Sequence, residues 1–149
     1  MKQLILLFVL CIGLQTTAQK LKWETDFETA KNISLKQNKP ILVYFTGSDW
    51  CAPCKMLKKD FFETDKFKKR AKNMVLLMVD MPRRNDIITP QQRTKNKELV
   101  SIYNTQGSYP TLVALNHEGH ILGELSGYTF LRETDRHYDF VDSVLAGYM

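Results

Sequence analysis

Thr46-Gly47-Ser48-Asp49-Trp50-Cys51-Ala52-Pro53-Cys54-Lys55, TGSDWCAPCK, sets two thiols with only Ala-Pro between them, beside a tryptophan. Taken alone, such a pair serves as a redox couple, as half of a metal site or as two ordinary core cysteines. The flanking sequence has to separate these readings. Just before it, Ile41–Thr46 (ILVYFT) is an unbroken β-branched and aromatic run, the pattern of a strand covered on both faces. Just after it, Ala52 to Phe62 reads as a helix, with Met56, Leu57, Phe61 and Phe62 apolar and Lys55, Lys58 and Lys59 outside. The cysteine pair stands at a strand-to-helix junction.

Further outward, Trp23 to Asn38 carries apolar residues at Phe27, Ala30, Ile33 and Leu35. It reads as an amphipathic helix capped by Thr25 or Asp26 and ended by Asn38 and Pro40. On the other side, Asp65–Lys72 is a short basic helix and Met74–Met81 a second buried strand. Pro82–Gln92 is a polar loop, and a helix from Gln91 to about Tyr103 turns Leu99, Ile102 and Tyr103 inward. Thr111–Leu115 and Ile121–Leu125 flank Asn116-His117-Glu118-Gly119-His120 as a hairpin with a glycine turn. Phe130–Ala146 closes the chain as an amphipathic helix through Phe140, Val141, Val144 and Leu145. The predicted order, α, β, α, α, β, α, β, β, α, suits an α/β domain whose mixed sheet is flanked by helices.

Residues 1–18 read as an export signal rather than as fold: Lys2 is the basic start, Leu4 to Leu14 is an apolar run, and cleavage is expected after Ala18. A membrane-spanning helix needs roughly 20 apolar residues, more than this run offers. Cys11 would suit lipid attachment only with a small residue before it, and Leu10 is not small. The expected mature chain, residues 19–149, is a single domain, soluble and monomeric, with enough length to bury its own core. The formal charge of the whole chain is only +5, its lysines scattered among acids. That pattern describes solvated surface rather than a nucleic-acid face. Without the signal only Cys51 and Cys54 remain, and so short a loop makes a poor structural staple.

The sequence resembles the thioredoxin superfamily from roughly Lys39 to Gly127. Three features carry the resemblance: Trp50-Cys51-Ala52-Pro53-Cys54-Lys55 between strand and helix, Tyr109-Pro110-Thr111 directly before the hairpin, and Gly127 just after it. Exported bacterial members with the FTGSDWC pattern are the most similar. The resemblance implies a thioredoxin fold and a cis peptide bond before Pro110. That bond would set the Tyr109 backbone against Cys51, where an extended substrate pairs with it, and would keep a metal-binding residue away from the thiols. Gly127 is implied to lie near the same site.

Disulfide exchange needs a thiolate, and a cysteine at a helix mouth is favoured as the anion by unpaired N–H groups and the helix dipole. Cys51 is therefore the expected attacking thiolate and Cys54 the resolving thiol. Pro53 sits in the first turn, where a missing N–H costs nothing, and Trp50 packs beside the pair. The sequence departs from the family in two places: Tyr44 stands where many members have a buried aspartate, and Leu76 where they have a buried lysine. Asp49, or Tyr44 with ordered water, is expected to handle the proton instead.

Cys51, Cys54, His117 and His120 together make a zinc-like set by residue type. Seven residues of strand separate Pro110 from His117, which puts the histidines roughly 20 Å away. No metal and no cofactor beyond the cysteine pair is expected. Three functions compete: an exported reductant or isomerase of client disulfides, a non-catalytic binding module for copper handling or assembly of a partner protein, and a strong oxidant. Ala52-Pro53 places no histidine between the thiols, which favours the reducing direction. A reductant in an oxidising compartment needs electrons, so the resemblance implies a membrane donor of the DsbD kind.

Overall fold

The computed structural model describes residues 20–148. The expected signal, its cleavage site and Cys11 lie outside the described residues. Strand β1 (Trp23–Glu24) is followed by α1 (Phe27–Gln37), β2 (Ile41–Thr46), α2 (Ala52–Leu57) with a π-helical turn (Lys58–Phe62), α3 (Asp65–Ala71) and β3 (Val75–Asp80). Helix α4 (Pro90–Tyr103), the hairpin β4 (Thr111–Leu115) and β5 (Ile121–Ser126), and α5 (Asp135–Tyr148) complete the chain.

The five strands lie in the order β1-β3-β2-β4-β5. β1, β3 and β2 are parallel, whereas β4 runs antiparallel to both β2 and β5. β2 sits in the middle, which explains its unbroken apolar run: all six of its residues are buried. Successive side chains point to opposite faces. Ile41, Val43 and Phe45 join Val75, Leu77, Val79, Val113 and Leu115 beneath α1 and α4. Leu42 and Tyr44 join Leu76 and Leu112 beneath α2, the π turn, α3 and α5, in the cluster that also holds both cysteines. The predicted mixed sheet flanked by helices is the observed one.

Four local expectations need correction. The first helix begins at Phe27, where the expected Asp26 cap places it, so Trp23, read with that segment, lies outside the helix. Asp26 caps it by accepting the Thr29 amide at 3.0 Å, and Trp23 instead pairs in register with Leu76 as an edge strand. The Trp23 ring also meets Phe62 edge-on at 5.1 Å, a contact distant in sequence that local periodicity does not register. The helix after the cysteines widens into a π turn, which delivers the consecutive Phe61 and Phe62 into the core together. Ile102 is 60% exposed rather than inward, and α4 buries Asn96 and Leu99. The last helix starts at Asp135, because the segment before it is drawn off by Asp60. That carboxylate takes the Tyr128 hydroxyl at 2.9 Å and pairs with the Arg132 guanidinium, leaving Phe130 and Leu131 exposed at 77% and 76%.

Candidate active site

The site is built where β2 ends. The Gly47 carbonyl accepts the amides of Trp50 (3.2 Å) and Cys51 (2.8 Å), which turns the chain off the strand and into α2. The turn is held from the neighbouring strand: the Asp80 carboxylate at the end of β3 accepts the Ser48 amide (2.9 Å) and hydroxyl (2.6 Å). Asn96 of α4 donates to the Asp80 carbonyl at 2.7 Å. Cys51 is the N-cap of α2, with extended backbone, and its Sγ accepts the Cys54 amide at 3.2 Å. Pro53 lies in the first turn, where the helix loses no hydrogen bond to it.

Cys51 and Cys54 form a disulfide and are only 3% and 1% exposed. Beneath them the Tyr44 hydroxyl donates to the Cys54 carbonyl at 3.0 Å, and burial pushes this phenol up to about 12. Tyr44 is thus a buried donor to the Cys54 backbone. Leu76 packs in the same cluster.

Trp50, partly buried, is held by several contacts. Its indole N–H donates to the Met81 carbonyl at 2.9 Å, and its ring lies edge-to-face with Tyr109 at 5.5 Å. The ring also lies flush against Gly47, where an added Cβ would come within 2.3 Å of it, so the turn has no room for a side chain. The Arg83 guanidinium covers the ring at 4.7 Å from its centroid.

The Tyr109–Pro110 peptide bond is cis, and the Pro110 carbonyl accepts the Gly127 amide at 2.8 Å. Gly127 has φ +86°, a left-handed conformation that glycine adopts freely. Tyr109 and Gly127 are therefore tied to the Trp50 side of the dithiol through named contacts.

The Asp49 carboxylate is bound to the loop after β3. Both of its oxygens face outward along the loop after β3, accepting the Arg83 and Arg84 amides at 3.0 Å each. Partial desolvation works against the charged form, but the two amides still hold this carboxyl below the usual carboxylate range. The Lys55 ammonium donates to the Asp49 carbonyl at 3.1 Å.

His117 and His120 lie in the hairpin turn, at the end of β4 away from Pro110, and Asn116 Oδ1 accepts the amides of Glu118 and His120. Among the described residues no three His, Cys, Asp or Glu side chains gather as a metal site.

Sequence reading missed Ser48, Asp80, Arg83, Arg93 and His137. Asp80 left a trace as the single acid ending an apolar strand. Arg83 and Arg93 lay within or beside a segment read only as polar. His137 is 1% exposed between the rings of Phe61 (5.6 Å) and Tyr128 (5.4 Å), its Nδ1 without a partner, and burial pushes its pKa down to about 4.

With this geometry in hand, comparison with known proteins is informative. A family model described as thioredoxin-like matches residues 22–116, well over half of the chain. The disulfide bond reductase DsbH of Chlamydia pneumoniae is 35% identical over 109 residues, 72% of this chain and 64% of that protein. The thioredoxin-related protein DsbJ of the same organism is 27% identical over 101 residues, 68% of this chain but 29% of that one. The chain thus spans less than two thirds of the length of either relative. A solved structure titled DsbH oxidoreductase superposes with a TM-score of 0.73 at 32% identity, covering 90% of this chain and 93% of that one. The family model spans more than half of the chain, over the segment that carries the cysteine pair and the proline-led hairpin strand, and the chain belongs to the thioredoxin-like family.

Proposed function

We propose that this chain is an exported thiol–disulfide oxidoreductase that reduces or isomerises disulfides of client proteins. The observation that carries the reading is the position of Cys51: it caps α2, and its sulfur accepts the amide of the residue that resolves it. In the reduced protein that amide and the helix dipole favour the thiolate. The Cys51 thiolate attacks one sulfur of a client disulfide, forming a mixed disulfide and expelling the other client sulfur as a thiolate. Cys54, having given up its proton, attacks Cys51 Sγ. This releases the second client thiolate and leaves the Cys51–Cys54 disulfide, two electrons having passed to the client.

Tyr109, cis Pro110 and Gly127 line the ledge along which an extended client segment lies beside Cys51, and Trp50 limits water there. Asp49 serves this site by holding the neighbouring loop, since its oxygens are occupied by amides. The Ala52-Pro53 spacer and the reductase named among the relatives both support the reducing direction. Working after export into a periplasm-like compartment, the protein takes its electrons from a membrane donor of the DsbD kind and acts as a monomer. The Cys51–Cys54 disulfide is the redox group of this reaction.

The test is reduction of insulin by dithiothreitol. The native protein should accelerate it, Cys51→Ser should abolish the acceleration, and Cys54→Ser should trap a mixed disulfide on Cys51. Equal turbidity curves with and without the native protein would instead favour the binding-module reading, which copper stoichiometry under reducing conditions then checks.

A further inference from the structure

The loop after β3 is clamped from two directions, and the clamp presents one cation. The Asp49 carboxylate holds the amides of Arg83 and Arg84. Arg93, on the first turns of α4, holds the carbonyls on either side: its guanidinium donates to Pro82 at 2.7 Å and to Arg84 at 2.8 Å. Met81, one step earlier, is fixed by the Trp50 indole. Amides, carbonyls and flanking residue are all engaged, although the loop is solvent-exposed. Such an arrangement exceeds what a connecting loop requires.

Its outcome is the placement of Arg83. The guanidinium lies 4.7 Å from the centroid of the Trp50 ring, and Trp50 is bonded in sequence to Cys51. The neighbouring cations are otherwise engaged: Arg84 is paired with Asp86, and Arg93 is spent on carbonyls. Lys55 donates to the Asp49 carbonyl. The Arg83 guanidinium makes no ion pair with a carboxylate among the described residues. Stacking on indole holds its plane while leaving its N–H groups free, and a planar guanidinium is suited to a carboxylate.

We propose that Arg83 is a specificity-determining residue that recognises a client carboxylate close to the disulfide under attack, so that acidic cysteine-containing segments are preferred. The inference rests on the exchange reaction above and names its substrate class. A client strand lying along Tyr109 and Pro110 passes the edge of Trp50, because the Tyr109 and Trp50 rings touch. An acidic residue on such a strand would meet the guanidinium held over the same indole.

The test uses two synthetic disulfide peptides, identical except for glutamate or lysine beside the reactive cysteine, and compares kcat/KM for the native protein and for Arg83→Gln and Arg83→Lys. The native protein should prefer the acidic peptide by about three- to fivefold, as an exposed ion pair supports. Arg83→Gln should abolish that preference by slowing the acidic peptide alone, Arg83→Lys should retain most of it, and about 0.5 M salt should erase it in the native protein. An unchanged preference in Arg83→Gln overturns the proposal. So does an equal fall on both peptides, the result expected if Arg83 only supports Trp50. If the native protein reduces neither peptide, the exchange reading itself fails, and this one with it.

Discussion

The two faces of the sheet are made of different material. Beneath α1 and α4 the buried cluster is almost wholly aliphatic: Ile41, Val43, Val75, Leu77, Val79, Leu99, Val113 and Leu115, with Phe45 as its one buried ring. Beneath α2, α3 and α5 the cluster holds the thiols among Tyr44, Phe61, Phe62, Phe67, Tyr128 and Tyr138. Each of those tyrosines places its hydroxyl on a partner. Tyr44 donates to the Cys54 carbonyl, Tyr128 to the Asp60 carboxylate, and Tyr138 shares a 2.7 Å bond with the Thr64 hydroxyl. An aliphatic layer is satisfied by filling space, and its residues can trade positions at modest cost. A layer of rings with polar tips must satisfy shape and hydrogen bonding together. That second requirement fixes where α2, and with it the dithiol, can sit.

The sharpest break of this comparison is a cavity on the aliphatic face. Leu77 is fully buried in the middle of β3. Leu77→Ala should lower unfolding stability by about 2–5 kcal/mol, measured by urea titration of the oxidised protein. The pH dependence of Cys51 alkylation in the folded, reduced variant should stay that of the native protein. A shifted alkylation profile would show that the faces are not independent.

The next effect lies on the dithiol face and depends on pH. His137 is pushed down to about 4 by burial, with the nearby Arg136 charge acting in the same direction. A depressed histidine means that the folded state binds the proton less well than the unfolded chain. Its contribution is therefore complete above the unfolded value near 6.5 and is lost as pH falls toward 4. The expected loss is about 1–3 kcal/mol. Urea midpoints at pH 7.5, 5.5 and 4.5 should fall for the native protein and stay nearly level for His137→Phe. Asp26, held at about 2 by Lys95 and the Thr29 amide, loses its contribution progressively from about pH 5 downward, a small loss by pH 4.5 that the native protein and His137→Phe share. A level native curve would mean that the histidine accepts its proton in place.

What could be read from the sequence follows the same division between local and distant causes. The run Ile41–Thr46, the thiols at its end, and the hairpin after Pro110 declare themselves through neighbours within a few residues. β1 does not: two residues form a strand only because Leu76 and Leu77 lie opposite them. Phe130 and Leu131 look like the start of a helix until Asp60, some seventy residues earlier, claims Tyr128 and Arg132. Asp49 looked like a proton carrier because it stands next but one to Cys51. The amides of Arg83 and Arg84 that claim it belong to a loop beyond the next strand. At the candidate site, the cysteines were legible from their spacing after a strand, and the proline from the family resemblance. The clamp around them was not, since each of its bonds joins residues from different elements.

The smallest expected effect discriminates most finely, because it concerns one hydroxyl. Tyr44→Phe keeps the ring that packs on Phe62 at 4.7 Å and on Trp23 at 5.8 Å, so no cavity opens. What goes is the donor to the Cys54 carbonyl, an oxygen that also accepts the Lys58 amide within the helix and so keeps one partner. The stability cost should be about 1 kcal/mol, well below that of Leu77→Ala. The hydroxyl was also a candidate to relay the proton of Cys54. A phenol pushed up to about 12 by burial remains protonated across the range in which thiols exchange. It orients the carbonyl without titrating. Rates of mixed-disulfide resolution for the native protein and Tyr44→Phe, followed from pH 6 to 9, should therefore trace curves of the same shape. The variant would be uniformly slower by a small factor. If the inflection moves with the substitution, Tyr44 takes part in the proton transfer, and the dithiol face does more than hold its sulfurs in place.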